Sequence, residues 1–251
     1  MSPRVLLCGL LWAGCASKTH MTQVGDVRVT TLRRDFANTH VVQTPDGDVL
    51  VDPGSEEHAA EMDAELKRLG VDPTSFVAII STHGHSDHAG AASWFHKQYG
   101  TPIVAGAGDA PLWSAGRNDR LCPTNRRAAR IAREHQDKTY SPFEPQVQID
   151  RPQSASELGL PVGAEQVPGH TPGSLVVHTG NAVFLGDLVR GSIVGRKART
   201  HFFMCDLDDN ISDVRALLDR YPGPDTVFFV GHFGPVEAEQ VRAWLQGQDE
   251  R

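Results

Sequence analysis

Apolar and polar residues roughly alternate from Val27 to Arg33, and a second extended stretch, Thr39 to Gln43, runs into the turn Pro45-Asp46-Gly47 before a third, Asp48 to Asp52. This pattern predicts a β-hairpin at the start of the domain. Ser55 then stands where it would cap a helix whose apolar positions Ala59, Met62, Leu66 and Leu69 recur at three- and four-residue spacing and end at Gly70. Phe76 to Ile80 is a continuous apolar run, as in a strand buried on both faces. A helix over about His88 to Tyr99 and a short strand from Pro102 to Ala105 continue the alternation. From 106 to 152 aliphatic residues thin out and basic ones accumulate, which predicts an insertion lying over the surface. Strands return at Glu165 to Val167, Leu175 to Thr179, Ala182 to Leu185 and Val227 to Val230, with helices at Asp209 to Tyr221 and Pro235 to Gln246. Strands alternating with helices make this an α/β chain. Its 251 residues fit one compact domain, expected to span 21–251.

Residues 1–20 read as a leader. Arg4 precedes an apolar stretch from Val5 to Leu11, and small residues follow. The apolar run, from Val5 to near Gly14, is about half the ~20 residues a bilayer-spanning helix needs. Leu11-Trp12-Ala13-Gly14-Cys15 resembles a bacterial lipoprotein box, which implies export and a membrane anchor through Cys15. The alternative is that Met21 is the true start and the protein is cytoplasmic. If the chain is exported, Cys122 and Cys205 are the pair left for a disulfide, although their spacing says nothing about proximity.

Composition narrows the function classes. A formal net charge of -7 argues against nucleic-acid binding, which needs a dense basic footprint. The four cysteines form no C-x-x-C pair, and neither a glycine-rich phosphate loop nor a G-x-S-x-G elbow is present.

The chemistry concentrates at strand ends. After the apolar run to Ile80 come Ser81-Thr82 and then His83-Gly84-His85-Ser86-Asp87-His88, three imidazoles and a carboxylate in six residues. Neutral imidazoles and carboxylates suit borderline divalent metals, and a short loop lets alternate side chains face different ions. Three further apolar runs end in a glycine and one ligand type: Pro168-Gly169-His170, Leu185-Gly186-Asp187 and Val230-Gly231-His232. Ligands on rigid strand ends are held accurately, and crevices there are where α/β proteins bind ligands.

These residues, with Val51-Asp52-Pro53-Gly54 and Gly169-His170-Thr171-Pro172-Gly173, resemble the metallo-β-lactamase-fold hydrolase superfamily over about Val24 to Trp244. The resemblance implies a four-layer αββα sandwich with the site along one edge of two packed sheets. It also implies that His83, His85 and His170 hold one metal, that Asp87, His88 and His232 hold a second, and that Asp187 bridges them. Two divalent ions, zinc first and iron or manganese as alternatives, would share an activated hydroxide that attacks a carbonyl carbon or phosphorus. Asp87, through its free oxygen, or a water would protonate the leaving group. The expected reaction is hydrolysis of an ester, lactone, thioester or related small-molecule carbonyl substrate.

Two alternatives stay open: an oxidoreductase resembling persulfide dioxygenases, using one iron on His83, His170 and Asp187, and a zinc β-lactamase. The latter usually carry cysteine or serine in place of Asp187. Only 19 residues follow His232, too few for the helical glutathione-binding domain of typical glyoxalase II enzymes. Asp52 is expected to bond loop backbone behind the metals. His20, His40, His58, His96, His135, His178 and His201 lack motif partners and read as structural or surface residues. Arg126, Arg127, Arg130 and Arg133 read as a solvated helix face. The sharper alternative is that they form a lid for an anionic substrate, with Arg190, Arg196, Lys197 and Arg199 facing the same mouth. Trp113, Tyr140, Phe202 and Phe203 read as packing residues. The sequence carries no signal for an oligomeric state.

Overall fold

The computed structural model describes residues 18–34, 36–194 and 197–250; Cys15 and most of the leader lie outside them. Among the described residues no helix is long and apolar enough to cross a membrane. The predicted hairpin is a four-stranded antiparallel meander of β1 (Lys18–Val24), β2 (Val27–Arg34), β3 (Ala37–Thr44) and β4 (Gly47–Val51). Its first strand thus begins inside the stretch assigned to the leader. Ser55 makes no capping bond, because a turn of 3-10 helix, Glu56–His58, stands between it and α1 (Ala59–Arg68). β5 (Phe76–Ser81) follows in parallel with β4, and α2 (Ala92–Tyr99) leads to β6 (Ile103–Gly106). The next segment holds α3 (Ala110–Ala115), α4 (Arg126–His135) and β7 (Val147–Ile149), which pairs in parallel with β6 and completes a seven-stranded sheet. The stretch 106–152 is therefore not simply a surface insertion. It adds an edge strand and buries Leu112, Trp113 and Tyr140.

After α5 (Ala155–Leu158), the strands β8 (Gly163–Gln166), β9 (Leu175–Thr179) and β10 (Ala182–Gly186) begin a second sheet. The short pair β11 (Arg190–Gly191) and β12 (Ala198–Arg199) and α6 (Leu207–Arg220) intervene before β13 (Val227–Val230), β14 (Val236–Glu237) and α7 (Ala238–Asp249). The five-stranded order is β14-β13-β10-β9-β8.

Side-chain alternation divides each strand between layers. Val49 and Val51 of β4 and Ala78 and Ile80 of β5 meet Leu175, Val177 and Phe184 of the second sheet in a central core. Their neighbours Leu50 and Ile79 face α1 and α2 through Met62, Leu66 and Phe95. Across the second sheet, Val176, Val183 and Leu185 face α6 and α7 through Leu217, Val241 and Trp244. The result is the expected αββα sandwich, with three stacked cores.

His40 of β3 sits in the central layer, its ring against Phe184 and Phe229 and its Nδ1 2.9 Å from Thr31 Oγ1. Burial, only partly opposed by Asp52, lowers its pKa to about 4. Because the folded protein prefers the neutral ring, the stability it contributes is complete above pH 6.5 and is lost as pH falls from there toward 4. A displacement of that size corresponds to roughly 3 kcal/mol. In the ion-free protein, urea titrations between pH 7 and 4.5 should show a shallower loss of stability for His40→Leu than for the parent; equal slopes would count against this assignment.

Candidate metal centre

The loop 83–88 leaves β5 at the edge where both sheets end. Asp52, just past β4 and in the left-handed region at φ 54°, accepts bonds from Thr82 N (2.7 Å) and Thr82 Oγ1 (2.8 Å) and holds His88 Nδ1 at 3.0 Å. The Thr82 hydroxyl, already donating to Asp52, lies 3.1 Å from His83 Nδ1. His85 places Nε2 2.8 Å from Asp119 Oδ1. His170 Nδ1 meets the carbonyl of Phe203 at 3.1 Å, and His232 Nδ1 meets that of Phe36 at 2.8 Å. Each of the five rings thus commits one nitrogen to a partner behind it and points the other forward, an arrangement that fixes tautomer and orientation in metal sites.

The forward atoms converge. Asp187 Oδ2 has Nε2 of His232, His88, His83 and His170 at 3.3, 3.5, 3.6 and 3.7 Å. His85 Nδ1 faces His170 Nε2 at 3.2 Å, and His88 Nε2 faces His232 Nε2 at 3.3 Å. Asp87 Oδ2 lies 3.7 and 3.5 Å from His88 and His232. Ligand atoms of His83, His85 and His170, and separately of Asp87, His88 and His232, lie within 4.8 Å of one another. All seven residues singled out in the sequence are therefore brought together. His83 Nε2 and Asp187 Oδ1 are buried with no hydrogen-bond partner, and buried polar atoms are rarely left so. Facing imidazole nitrogens can share at most one proton, so the donor set fits divalent cations better than its own hydrogen bonding.

Electrostatics point the same way. Burial, aided by neighbouring imidazoles, pushes His83 and His170 well below their usual value. Burial works against the charge on His88, but Asp187, Asp87 and Asp52 outweigh it and raise the ring to about 10; His232 is raised by Asp187 in the same way. Burial also opposes ionisation of Asp87 and Asp187, yet His88 and His232 bring the former to about 2, and His201 and His232 lead in holding the latter well below the carboxylate range. Close approach demands glycine at 231, where a Cβ would stand 2.1 Å from Asp187 Oδ1 and 2.6 Å from His88 Cε1.

Four contributors had no signal of their own in the sequence. Asp109 is buried and accepts bonds from Gly84 N (2.8 Å), Gly173 N (2.7 Å) and Thr171 Oγ1 (2.8 Å), tying the 83–88 loop to the 169–174 loop. Asn38 Nδ2 bonds the carbonyls of Val230 and Phe233 on either side of His232. Asp119 seats His85. His201, read as structural or surface, puts Nε2 3.1 Å from Asp187 Oδ2.

A cavity of about 970 Å³, including its open mouth, reaches Asp87, Asp187, His201 and His232 at its floor. Phe36, Phe202 and Phe203 form walls, so the two latter rings do more than pack. α4 is not wholly a solvated face either: Arg127 and Ile131 line the cavity, because the helix lies across its rim. Arg190 stacks its guanidinium over Phe202 at 4.2 Å, while Ala198 of the same β11–β12 ribbon is buried. Cys122 and Cys205 are joined in a disulfide.

The family model of the metallo-beta-lactamase superfamily matches residues 32–232. A hydroxyacylglutathione hydrolase, GloC, of Haemophilus influenzae is 26% identical over 193 residues, which is 73% of this chain and 78% of the relative. The probable metallo-hydrolase YflN of Bacillus subtilis is 28% identical over 61% of each chain. Among solved structures, TTHA1623 in a di-iron-bound form superposes with a TM-score of 0.61 at 25% identity, over 85% of this chain and 96% of that one. The metallo-β-lactamase MIM-1 from Novosphingobium pentaromativorans gives 0.61 at 19% identity, over 92% and 86%.

Proposed function

This chain belongs to the metallo-beta-lactamase superfamily of metal-dependent hydrolases, and we propose that it is a two-ion member that hydrolyses an ester, lactone or thioester carrying an apolar arm and an anionic group. One observation carries the reading: two separate three-donor groups flank a single buried carboxylate whose Oδ2 faces rings from both. His83, His85 and His170 would hold one ion, Asp87, His88 and His232 the other, and Asp187 would touch both. Bound there, divalent ions supply Lewis acidity and lower the pKa of water toward neutrality. The rest is done by the chain. Asp52, Asp119 and the carbonyls of Phe36 and Phe203 orient the rings. Asp87, ionised and reaching the cavity, accepts a proton from the attacking water and passes it to the leaving group. Phe36, Phe202 and Phe203 receive the apolar arm.

Arg34 and Lys138 already pair with Glu61 and Glu57, so among the described residues that line the cavity Arg127 is the rim cation suited to an anionic terminus. A one-ion oxidoreductase gives no role to the group Asp87, His88 and His232. The disulfide supports work in an oxidising compartment, consistent with export.

Elemental analysis of the purified protein should give two equivalents of metal, zinc foremost. A panel of chromogenic esters, lactones and thioesters should be turned over, silenced by chelator and restored by zinc. One equivalent of iron with oxygen uptake would reverse the reading. The raised pKa values of His88 and His232 add a sign. In the ion-free protein His88 is protonated at pH 7 where a cation belongs, and Asp187 biases His232 in the same direction, so loading must expel a proton and affinity must climb with pH. Calorimetry of zinc binding in buffers of different ionisation enthalpy should report net proton release, and a buffer-independent heat would contradict it.

A further inference from the structure

His201 meets every criterion that the histidines of the centre meet, although no motif announces it. Its side chain is 2% exposed, and its Nε2 is the imidazole nitrogen nearest to Asp187 Oδ2, at 3.1 Å, yet lacks the alignment of a hydrogen bond and has no other partner. The ring stands between His170 and His232, with centroids 4.9 and 5.1 Å away. Its Nδ1 lies 3.2 Å from the carbonyl of Phe203, the same oxygen that seats His170 Nδ1. One main-chain oxygen therefore aligns two rings whose Nε2 atoms, with a carboxylate oxygen of Asp187, lie within 4.8 Å of one another.

The segment that presents His201 is held firmly. Thr124 Oγ1 donates to the carbonyl of His201 (2.9 Å), Thr124 N to that of Phe202 (2.9 Å), and Met204 N to that of Cys122 (2.8 Å), beside the Cys122–Cys205 disulfide. A side chain delivered to a buried charged centre from so constrained a backbone is placed by the fold rather than by chance rotamer choice.

We propose that His201 is an additional ligand of the metal centre, donating Nε2 to a divalent ion that it shares with His170 and Asp187. This rests on the two-ion reading only in that an ion occupies the side of the centre where His170 lies. The competing arrangement is visible in the same contacts: Phe203 N also lies 3.2 Å from His201 Nδ1. If that amide donates, the ring proton sits on Nε2 and His201 is a hydrogen-bond donor to Asp187 instead.

Cobalt-substituted full-length protein separates the two. On titrating Co²⁺ into the ion-free parent, His201→Ala and His201→Gln, the variants should lose at least about tenfold in affinity for one equivalent, as even outer-shell partners of a metal site cost tenfold or more. Their visible absorption should change in position and intensity as the coordination number falls. Unchanged affinity and spectrum would overturn the proposal, whatever happens to turnover. If the variants fail to fold, histidine-selective ¹⁵N spectra of the zinc-loaded parent decide. His201 Nε2 should appear unprotonated and metal-shifted; a protonated Nε2 overturns it. A parent that binds only one ion would defeat the two-ion reading while leaving this test intact, because His170 and Asp187 still define the site in question.

Discussion

Replacing Asp187 with alanine should remove hydrolytic activity by a factor of a thousand or more while leaving the sandwich folded. Its Oδ2 is the one anionic atom facing the Nε2 atoms of five histidines at 3.1–3.7 Å. Without it, His88 and His232 lose the carboxylate that faces both rings, and two cations brought to the same place would have no shared counter-charge. Stabilisation of charge by bound metal contributes several kcal/mol at the transition state; about 4 kcal/mol corresponds to roughly a thousandfold. Metal affinity should fall by more than about a hundredfold, beyond the loss typical of an outer-shell partner. Turnover measurements paired with elemental analysis and circular dichroism check this. A folded variant that keeps both equivalents would show that the carboxylate does not join them.

The second large effect concerns stability. Asp109→Ala strips the acceptor from three buried donors at once, the amides of Gly84 and Gly173 and the hydroxyl of Thr171. Each stranded donor costs about 1–3 kcal/mol, and with costs near the lower end of that range the three together give a loss of roughly 3–5 kcal/mol. For a chain of this size that lowers Tm by roughly 10 °C. Asp109→Asn should cost less: one oxygen can still serve Gly84 and Thr171, but its amide would then point at the Gly173 N–H. Equal losses in the two variants would mean that the space filled by Asp109, rather than its acceptors, matters. Because this carboxylate joins the loops bearing His83, His85 and His170, the alanine variant should also bind metal more weakly. Thermal scans with and without zinc would show a smaller metal-induced rise in Tm than in the parent.

The part of the centre that was legible in the sequence is the part written locally. H-x-H-x-D-H is dense enough to stand out, Asp187 and His232 each follow an apolar strand and a glycine, and His170 follows Val167-Pro168 and a glycine. The layers were legible for the same reason, since an apolar run such as Phe76 to Ile80 marks a core strand, all of it buried except Val77. His201 and Asp119 follow no such run and lie in irregular stretches, whereas Asp109 does follow the apolar strand Ile103–Gly106 and a glycine but stands apart from any ligand cluster. What gives all three meaning is a neighbour distant in sequence: Asp187 for His201, Thr171 and Gly173 for Asp109, His85 for Asp119. β7 is not legible in the sequence, because three residues, one of them fully buried, carry too little periodicity. The predicted helix from His88 begins only at Ala92, because 88–91 are spent on the metal loop: His88 N and Ala89 N bond the carbonyl of His85, and Ala91 N that of Gly54.

Phe36 and Phe203 each hold a histidine by a main-chain oxygen while offering a ring to the substrate space. The oxygen belongs to any amino acid that might stand there; the ring does not. Selection can therefore exchange these two side chains, and with them the shape of molecule admitted, without disturbing the orientation of His232 or His170. Such a division lets one catalytic engine be refitted to new diets by single substitutions, and it marks positions 36 and 203 as the first to randomise when seeking altered selectivity.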